Sequence, residues 1–203
     1  MKSDSIAFGI AGIVFGLIAG WIIGSQQAMQ RPGARPVEAA APAAPASAPP
    51  AAILDEAKVK ALTTVAEQQP ANAAPRAELG NMYFDAERYA DAIKWYGEAF
   101  ALDPGNVNVS TDLGVSYYYS NQADRALAQF DQSLKIDPKH AKTLLNVGIV
   151  RAFGKQDLPG AEQAWQQVID LAPESPEAQA AKRALDSLRS AHPPGAAGAK
   201  PGA

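Results

Sequence analysis

Few side chains in this 203-residue sequence are of the types that catalyse reactions or hold metal ions. There is no Cys, which excludes disulfides, thiolate nucleophiles and Cys-type zinc sites. Only two His occur, His140 and His192. The carboxylates have no neighbouring base, no metal-ligand spacing and no glycine-rich phosphate loop beside them. We therefore expect no catalytic residue, no metal and no cofactor, and predict that the protein is not an enzyme.

The charge balance argues against a nucleic-acid partner. The net charge is −3 and the pI about 5.4, and Lys and Arg form no cluster. A basic patch or stripe is the electrostatic footprint of nucleic-acid binding. We therefore expect no nucleic-acid partner.

Residues 1–30 have the composition of a membrane anchor. Ile6 to Ile23 is an unbroken run of 18 apolar or Gly residues, about 27 Å long as a helix. Lys2 precedes the run, and Trp21 stands at its far end, where an aromatic ring favours the membrane interface. A cleaved signal peptide is the alternative, but a small-x-small cleavage site is poor here. We expect a single-pass protein of a bacterial inner membrane with its folded domain in the periplasm.

Glycines recur every fourth residue along this run. On a helix they form one smooth stripe, against which another backbone can pack closely. The stripe consists of Gly12, Gly16, Gly20 and Gly24. It predicts helix packing in the membrane and possible homo-oligomers, although Gly is also simply common in membrane helices.

The composition then divides the rest of the chain. Residues 31–52 contain six Pro and ten Ala, which predicts a flexible extended linker. Residues 192–203 are Pro, Gly and Ala with a single Lys after His192, and read as a disordered tail. Residues 53–191 carry helical apolar patterning and form the predicted domain.

Several features of this domain repeat at a spacing of 34 residues. An apolar residue precedes Gly at Leu79-Gly80, Leu113-Gly114 and Val147-Gly148. A small residue is followed four positions later by an aromatic one at Ala92/Tyr96, Ala126/Phe130 and Ala161/Trp165. Prolines close the units at Pro70, Pro104, Pro138 and Pro173. The third unit has one residue more, and we expect that insertion in the turn around Gly154–Gly160, where a longer loop is tolerated.

This pattern resembles the tetratricopeptide repeat (TPR), whose signature is L-G-x-x-Y, then A-x-x-x-F, then P. The resemblance implies an all-α, right-handed solenoid of helical hairpins, with repeats at about 70–104, 104–138 and 138–173. Residues 53–69 resemble the second helix of a degenerate repeat, and Ser175-Pro176 should start a capping helix over 176–191.

Three positions of the repeat carry specific expectations. Gly114 should face Ala126 across its hairpin. Arg151 occupies the slot that Tyr takes in the other two repeats; its stem should pack while its guanidinium reaches solvent, and the alternative is looser packing of the third repeat at this point. His140, at the start of the third repeat, should be exposed.

In the resembling family, the first helices of the repeats line a concave face that binds segments of partner proteins. Carried over slot by slot, this groove contains Asn81, Phe84, Asp85, Val115, Tyr118, Tyr119, Lys142, Leu145, Ile149 and Phe153, with Ala77 and Thr111 beside them. Its apolar and aromatic character suits an extended or helical apolar peptide. The alternative is that flanking helices cover some of these residues. The chaperone-binding branch of the family clamps a carboxylate with Lys and Asn; Asn81 fits one such place, but Ala77 stands where Lys is expected.

We therefore expect a membrane-anchored scaffold or adaptor that binds partner proteins through the groove to assemble a membrane complex. A narrower alternative follows from layout alone, which is similar to the membrane-anchored TPR subunit of bacterial cytochrome c biogenesis, where it would present apocytochrome or hold a haem lyase. A second alternative is an ancillary subunit of a protein-export channel.

Overall fold

The computed structural model describes residues 53–191, and all regular structure within them is helical. The helices are α1 (Glu56–Gln68), α2 (Ala74–Asp85), α3 (Tyr89–Leu102), α4 (Val107–Tyr119), α5 (Ala123–Ile136), α6 (Ala141–Ile149), α7 (Leu158–Leu171) and α8 (Pro176–Ala191). A π-helical turn, Val150–Gly154, continues α6. None of the helices in this range is long and apolar enough to cross a membrane. The expected anchor, glycine stripe, linker and tail lie outside the described residues.

The helices form a TPR-like solenoid of hairpins. Helices α2 and α3, α4 and α5, and α6 and α7 pair as consecutive hairpins. Helix α1 packs against α2 at one end, and α8 packs against both α6 and α7 at the other. Stacking buries apolar faces that a single hairpin would leave exposed.

Each hairpin closes by the same contact between a glycine and an aromatic ring. The ring of Tyr96 lies so close to Gly80 that a Cβ there would be 2.5 Å from it. Gly148 and Trp165 repeat this contact in the third hairpin. In the second hairpin, a side chain at Gly114 would meet the ring of Phe130. The group nearest to Gly114 is therefore the ring of Phe130, and not Ala126 as expected.

The turns inside the hairpins share one backbone feature. Each contains a residue with positive φ: 57° at Glu87, 60° at Asn121 and 56° at Gln156. The distance from this residue to the next buried Ala is the same in all three repeats. The extra residue of the third repeat therefore precedes Gln156. The chain absorbs it in the π-helical turn Val150–Gly154, and not in the turn around Gly154–Gly160 as expected.

Side chains fix the starts of several helices. The side-chain oxygen of Asn106 accepts a hydrogen bond from the backbone N–H of Val109 at 3.2 Å. Ser175 caps α8 in the same way, through the N–H of Ala178 at 3.0 Å. These caps satisfy N–H groups that have no partner within the helix.

The first junction, where the first repeat meets α4, contains small apolar residues. Ala77 on α2 is half-buried and faces the region of Val109 on α4. A cleft of about 360 Å³ remains here, bordered by both side chains together with Ala73 and Leu102.

The second junction, where the second repeat meets α6, is filled by hydrogen bonds. Thr111 Oγ1 donates to the backbone oxygen of Val107 at 2.7 Å and lies 2.7 Å from Thr143 Oγ1. Thr143 must therefore donate to Thr111, and His140 Nδ1–H donates to Thr143 Oγ1 at 2.7 Å. His140, at the end of this row of hydrogen bonds, is half-buried and not exposed as expected.

Candidate protein-binding groove

Four aromatic rings cluster where the carboxyl ends of α2 and α4 meet the start of α3. Phe84 contacts Tyr89 and Tyr119 edge-on, at centroid distances of 5.4 and 5.5 Å. Tyr119 stacks on Tyr89 at 4.9 Å, and Tyr118 contacts Tyr119 edge-on at 5.8 Å. All four are half-buried. This aromatic cluster therefore keeps part of its surface available for contact.

The tyrosines of the cluster remain neutral at physiological pH. Burial raises the pKa of the Tyr118 and Tyr119 hydroxyls above the ordinary value of 10. For Tyr119, the neighbouring Tyr89 and Tyr118 act in the same direction. A ligand consequently meets uncharged amphipathic rings, which suit apolar and cationic side chains.

A polar group lies next to these rings around the hydroxyl of Tyr96. This hydroxyl donates to Asn81 Oδ1 at 2.7 Å. Burial raises its pKa, and the charges of Asp112, Asp85 and Glu78 raise it further. The three carboxylates from α2 and α4 therefore lie near one hydroxyl at this face of the solenoid.

Ion pairs neutralise two of the three carboxylates. Lys142 Nζ on α6 lies 2.6 Å from Asp112 Oδ1 on α4. Lys58 Nζ on α1 lies 2.6 Å from Glu78 Oε1 on α2. Both pairs are partly exposed, and screening by solvent keeps their contribution to stability small. Their clearer effect is to occupy the two lysines.

Asp85 differs from these carboxylates. It ends α2, directly after Phe84, and forms no ion pair with any residue of 53–191. Partial burial raises the pKa of its carboxyl, and the charge of Glu78 adds to the effect. The side chain is exposed to solvent, and among these three carboxylates it alone has no lysine or arginine paired with it in the described residues.

The third repeat contributes less to the groove than expected. Leu145 and Ile149 were expected on the open face, but they are only 3% and 6% exposed. Helix α8 packs against α6, and Trp165 Nε1 donates to the Leu145 backbone oxygen at 3.2 Å. The capping helix and the hairpin thus bury this part of the face. Thr111 is also buried, within the second junction.

The remaining positions of the third repeat lie nearer the surface. Phe153 is half-buried and belongs to the π-helical turn. Tyr118 packs close to Gly154 of the same turn. Val115 on α4 is half-buried and packs against the apolar core between the second and third repeats. The extra residue of this repeat therefore shapes the part of the groove next to Tyr118.

Arg151 is half-buried, and its side chain is 38% exposed. Its guanidinium lies 3.9 Å from the Asp157 carboxylate and donates to the Gly160 backbone oxygen at 3.4 Å. In the other repeats the same slot holds Tyr83 and Tyr117, and an arginine that follows in the chain lies over each ring, Arg88 over the first and Arg125 over the second.

Several residues of the site were not predicted from the sequence. Tyr89 lies on a second helix, so a comparison restricted to first helices omits it. Glu78 was omitted because its role depends on Lys58 of the neighbouring helix. Asp112 could have been found, because it shares a helical face with Val115 and Tyr119 at spacings of three and seven residues.

Comparisons with known proteins agree with this architecture. Two family models match, one described as "TPR repeat" over residues 80–120 and one as "Tetratricopeptide repeat" over residues 111–176. A search of curated proteins finds no significant match.

Solved structures of similar fold include several TPR domains. The first TPR domain of Spaghetti (RPAP3), bound to the HSP90 peptide SRMEEVD, is 25% identical over 59% of this chain and 92% of its own, with a TM-score of 0.53. The Sgt2 TPR domain from Aspergillus fumigatus is 26% identical over 64% of this chain and 85% of its own, with a TM-score of 0.56. MamA shares the fold at 19% identity, over 65% and 78% of the two chains, with a TM-score of 0.55. Tetratricopeptide-repeat models thus match residues 80–176, and the described residues fold as a tetratricopeptide-repeat domain.

Proposed function

We propose that this protein is a membrane-anchored adaptor without catalytic activity, which binds segments of partner proteins in the groove formed by α2, α4 and α6. The observation that carries the proposal is the half-buried aromatic cluster of Phe84, Tyr89, Tyr118 and Tyr119. Aromatic side chains dominate the energetics of protein interfaces, where they anchor a partner in a desolvated pocket. The 25%-identical domain of Spaghetti is bound to a peptide, which supports the same use of the fold here.

The π-helical turn supports the same proposal. Single π-helical turns within α-helices are rare and are frequently found at functional sites. Here the turn carries Phe153 and packs beside Tyr118, at the edge of the groove. An insertion in a loop would have left the groove unchanged.

The test compares groove variants of the full chain with a control on an outer helix. Tyr118→Ala combined with Phe153→Ala is expected to abolish co-purification of the native partners. Gln163→Ala combined with Gln167→Ala, at two exposed positions of α7, should leave the same partners bound. Partners are identified by mass spectrometry from membranes solubilised in detergent.

Because Tyr118 packs against the π-helical turn, its loss also lowers stability. Each variant is therefore checked by circular dichroism, and a second groove variant, Asp85→Lys, changes the surface without removing a buried side chain. Partners that remain on both groove variants but leave the α7 variant would contradict the proposal.

Membrane anchoring is the second part of the proposal. It rests on the 18-residue apolar run of Ile6–Ile23. Deletion of residues 1–30 should move the protein from the membrane fraction to the supernatant, while alkaline phosphatase fused after the domain should be active if the domain is periplasmic. A protein that sediments with membranes after the deletion would show that another part of it provides the attachment.

The partners that co-purify also decide between the narrower roles. A role in cytochrome c biogenesis requires a haem lyase or an apocytochrome among them, whereas a role at a protein-export channel requires channel subunits.

A further inference from the structure

The charges at the groove are unevenly compensated. The charges of Glu78, Asp85 and Asp112 act on the Tyr96 hydroxyl, which donates to Asn81 one helical turn before Asp85. The two lysines that approach this face, Lys58 and Lys142, are already paired with Glu78 and Asp112. One negative charge, that of Asp85, is left without a cation among the described residues. A ligand that brings a positive charge to this point would complete the pattern.

The aromatic cluster next to Asp85 also suits a cation. Phe84 precedes Asp85 on α2, and its ring joins those of Tyr89 and Tyr119. Ring faces attract Arg and Lys through their quadrupole. The chain itself uses this interaction elsewhere, where Arg125 lies 4.0 Å from the ring centroid of Tyr117. Asp85 directly follows Phe84 on α2, so a side chain whose apolar stem lies against the rings can bring a guanidinium or ammonium group to the Asp85 carboxylate.

We infer that the groove prefers an extended peptide segment in which an Arg or Lys, flanked by apolar residues, places its cation at Asp85 and its stem against the aromatic cluster. The inference rests on the proposed function, since it names the chemistry of the segment that the same groove takes.

The same residues disfavour an acidic segment of the kind bound to Spaghetti, which ends in Glu-Glu-Val-Asp. Lys142 is held by Asp112 at 2.6 Å, and Asn81 accepts a hydrogen bond from Tyr96. Ala77 offers no charge where the carboxylate-binding branch has Lys. An acidic ligand would therefore meet Asp85 without a matching cation, and like charges in contact reduce affinity.

The test is an unbiased selection followed by a double-mutant cycle. Random 12-residue peptides displayed on phage are selected on the immobilised full chain in detergent. Enriched peptides should contain Arg or Lys next to apolar residues and should be depleted in Asp and Glu. For the tightest peptide, replacement of its cation by norleucine is expected to weaken binding about tenfold, as measured by fluorescence anisotropy.

The double-mutant cycle tests whether the loss of affinity caused by the norleucine replacement depends on Asp85. On the Asp85→Asn variant, the same peptide change should alter binding less than about twofold, because the coupled charge is gone. Asp131→Asn, at an exposed position of α5, is the matched control and should retain the tenfold effect.

The outcomes separate the two proposals. This inference is overturned if the enriched peptides are acidic or uncharged, or if the effect of the peptide's cation persists on Asp85→Asn. The groove function still stands if those peptides bind less well to the variant Tyr118→Ala with Phe153→Ala. Peptides that bind equally well to that groove variant, or failure to enrich any peptide, would overturn both.

Discussion

The two junctions between repeats occupy equivalent slots and are built from different chemistry. At the second junction, Thr111, Thr143 and His140 form a hydrogen-bonded chain. At the first junction, the positions 34 residues earlier hold Ala77 and Val109, and a cleft of about 360 Å³ remains. The signature residues of the repeat close each hairpin, but they do not determine how neighbouring hairpins meet. That contact depends on slots that the signature leaves variable.

This difference has a functional consequence. The second junction, together with α8, forms a closely packed end of the solenoid in which Leu145 and Ile149 are buried. The first junction retains the cleft, the aromatic cluster and the carboxylate of Asp85. Ligand binding is therefore expected to concentrate between α2 and α4, and the three predictions below examine how the two junctions differ.

The largest effect should come from the hairpin that both junctions share. Gly114→Leu is expected to lower the free energy of unfolding by about 2–3 kcal/mol, because the new side chain would strike the buried ring of Phe130. Gly97→Ala on α3 is the control, since a Cβ there meets no atom within 4 Å; it should raise stability by roughly 0.5–1 kcal/mol. Urea unfolding of the two variants measures both changes. Equal stability of Gly114→Leu and the parent protein would mean that the two helices do not cross at this glycine.

A smaller effect should distinguish the two junctions directly. Thr143→Val keeps the shape of the side chain but removes the middle hydroxyl of the chain, leaving Thr111 and His140 each without one partner. The expected loss is about 1–3 kcal/mol. The reciprocal change at the first junction, Val109→Thr, introduces a hydroxyl beside the open cleft, where water can reach it, and should cost less.

Urea unfolding of both variants measures this asymmetry. If Val109→Thr destabilises as much as Thr143→Val, the hydrogen-bonded chain contributes nothing specific to the second junction, and the comparison between the junctions fails.

Sequence reasoning predicted the hairpins, although it named Ala126 and not Phe130 as the residue that limits the space at Gly114. The positions of Gly80 and Tyr96 recur in every unit, so they predict hairpins whose helices meet at a glycine. Sequence reasoning failed where the burial or pairing of a residue depends on a helix outside its own repeat. The burial of Leu145 requires α8 to dock on α6, and the pairing of Lys142 with Asp112 requires the relative position of two repeats. The count of residues revealed an insertion in the third repeat, but not that the backbone would absorb it in a π-helical turn.

The smallest predicted effect concerns the charge of His140 at the second junction. Burial lowers the pKa of its imidazole below the ordinary value of 6.5, and the charge of Lys142 acts in the same direction. The carboxylates that face it, Asp137, Asp112 and Glu177, act in the opposite direction without cancelling the burial. The unfolded chain therefore binds a proton that the folded chain holds less tightly. Stability contributed by the neutral imidazole is fully present above pH 6.5 and declines as the pH falls from 6.5 toward the lower pKa of the folded state.

This decline can be isolated with a variant that preserves the hydrogen bond. In the hydrogen-bonded chain, His140 donates from Nδ1, so protonation takes place at Nε2 and leaves the bond to Thr143 in place. His140→Asn can donate a similar bond from its amide but has no proton to gain. In a His192→Gln background, which removes the second imidazole, the free energy of unfolding is measured in urea at pH 7.5 and 5.5. The parent protein should lose more stability on acidification than His140→Asn. Its imidazole has a lower pKa in the folded chain than in the unfolded chain, whereas the Asn side chain does not titrate. Equal losses in the two proteins would show that the second junction does not respond to the charge of His140, and that acid sensitivity in this range arises from the carboxylates.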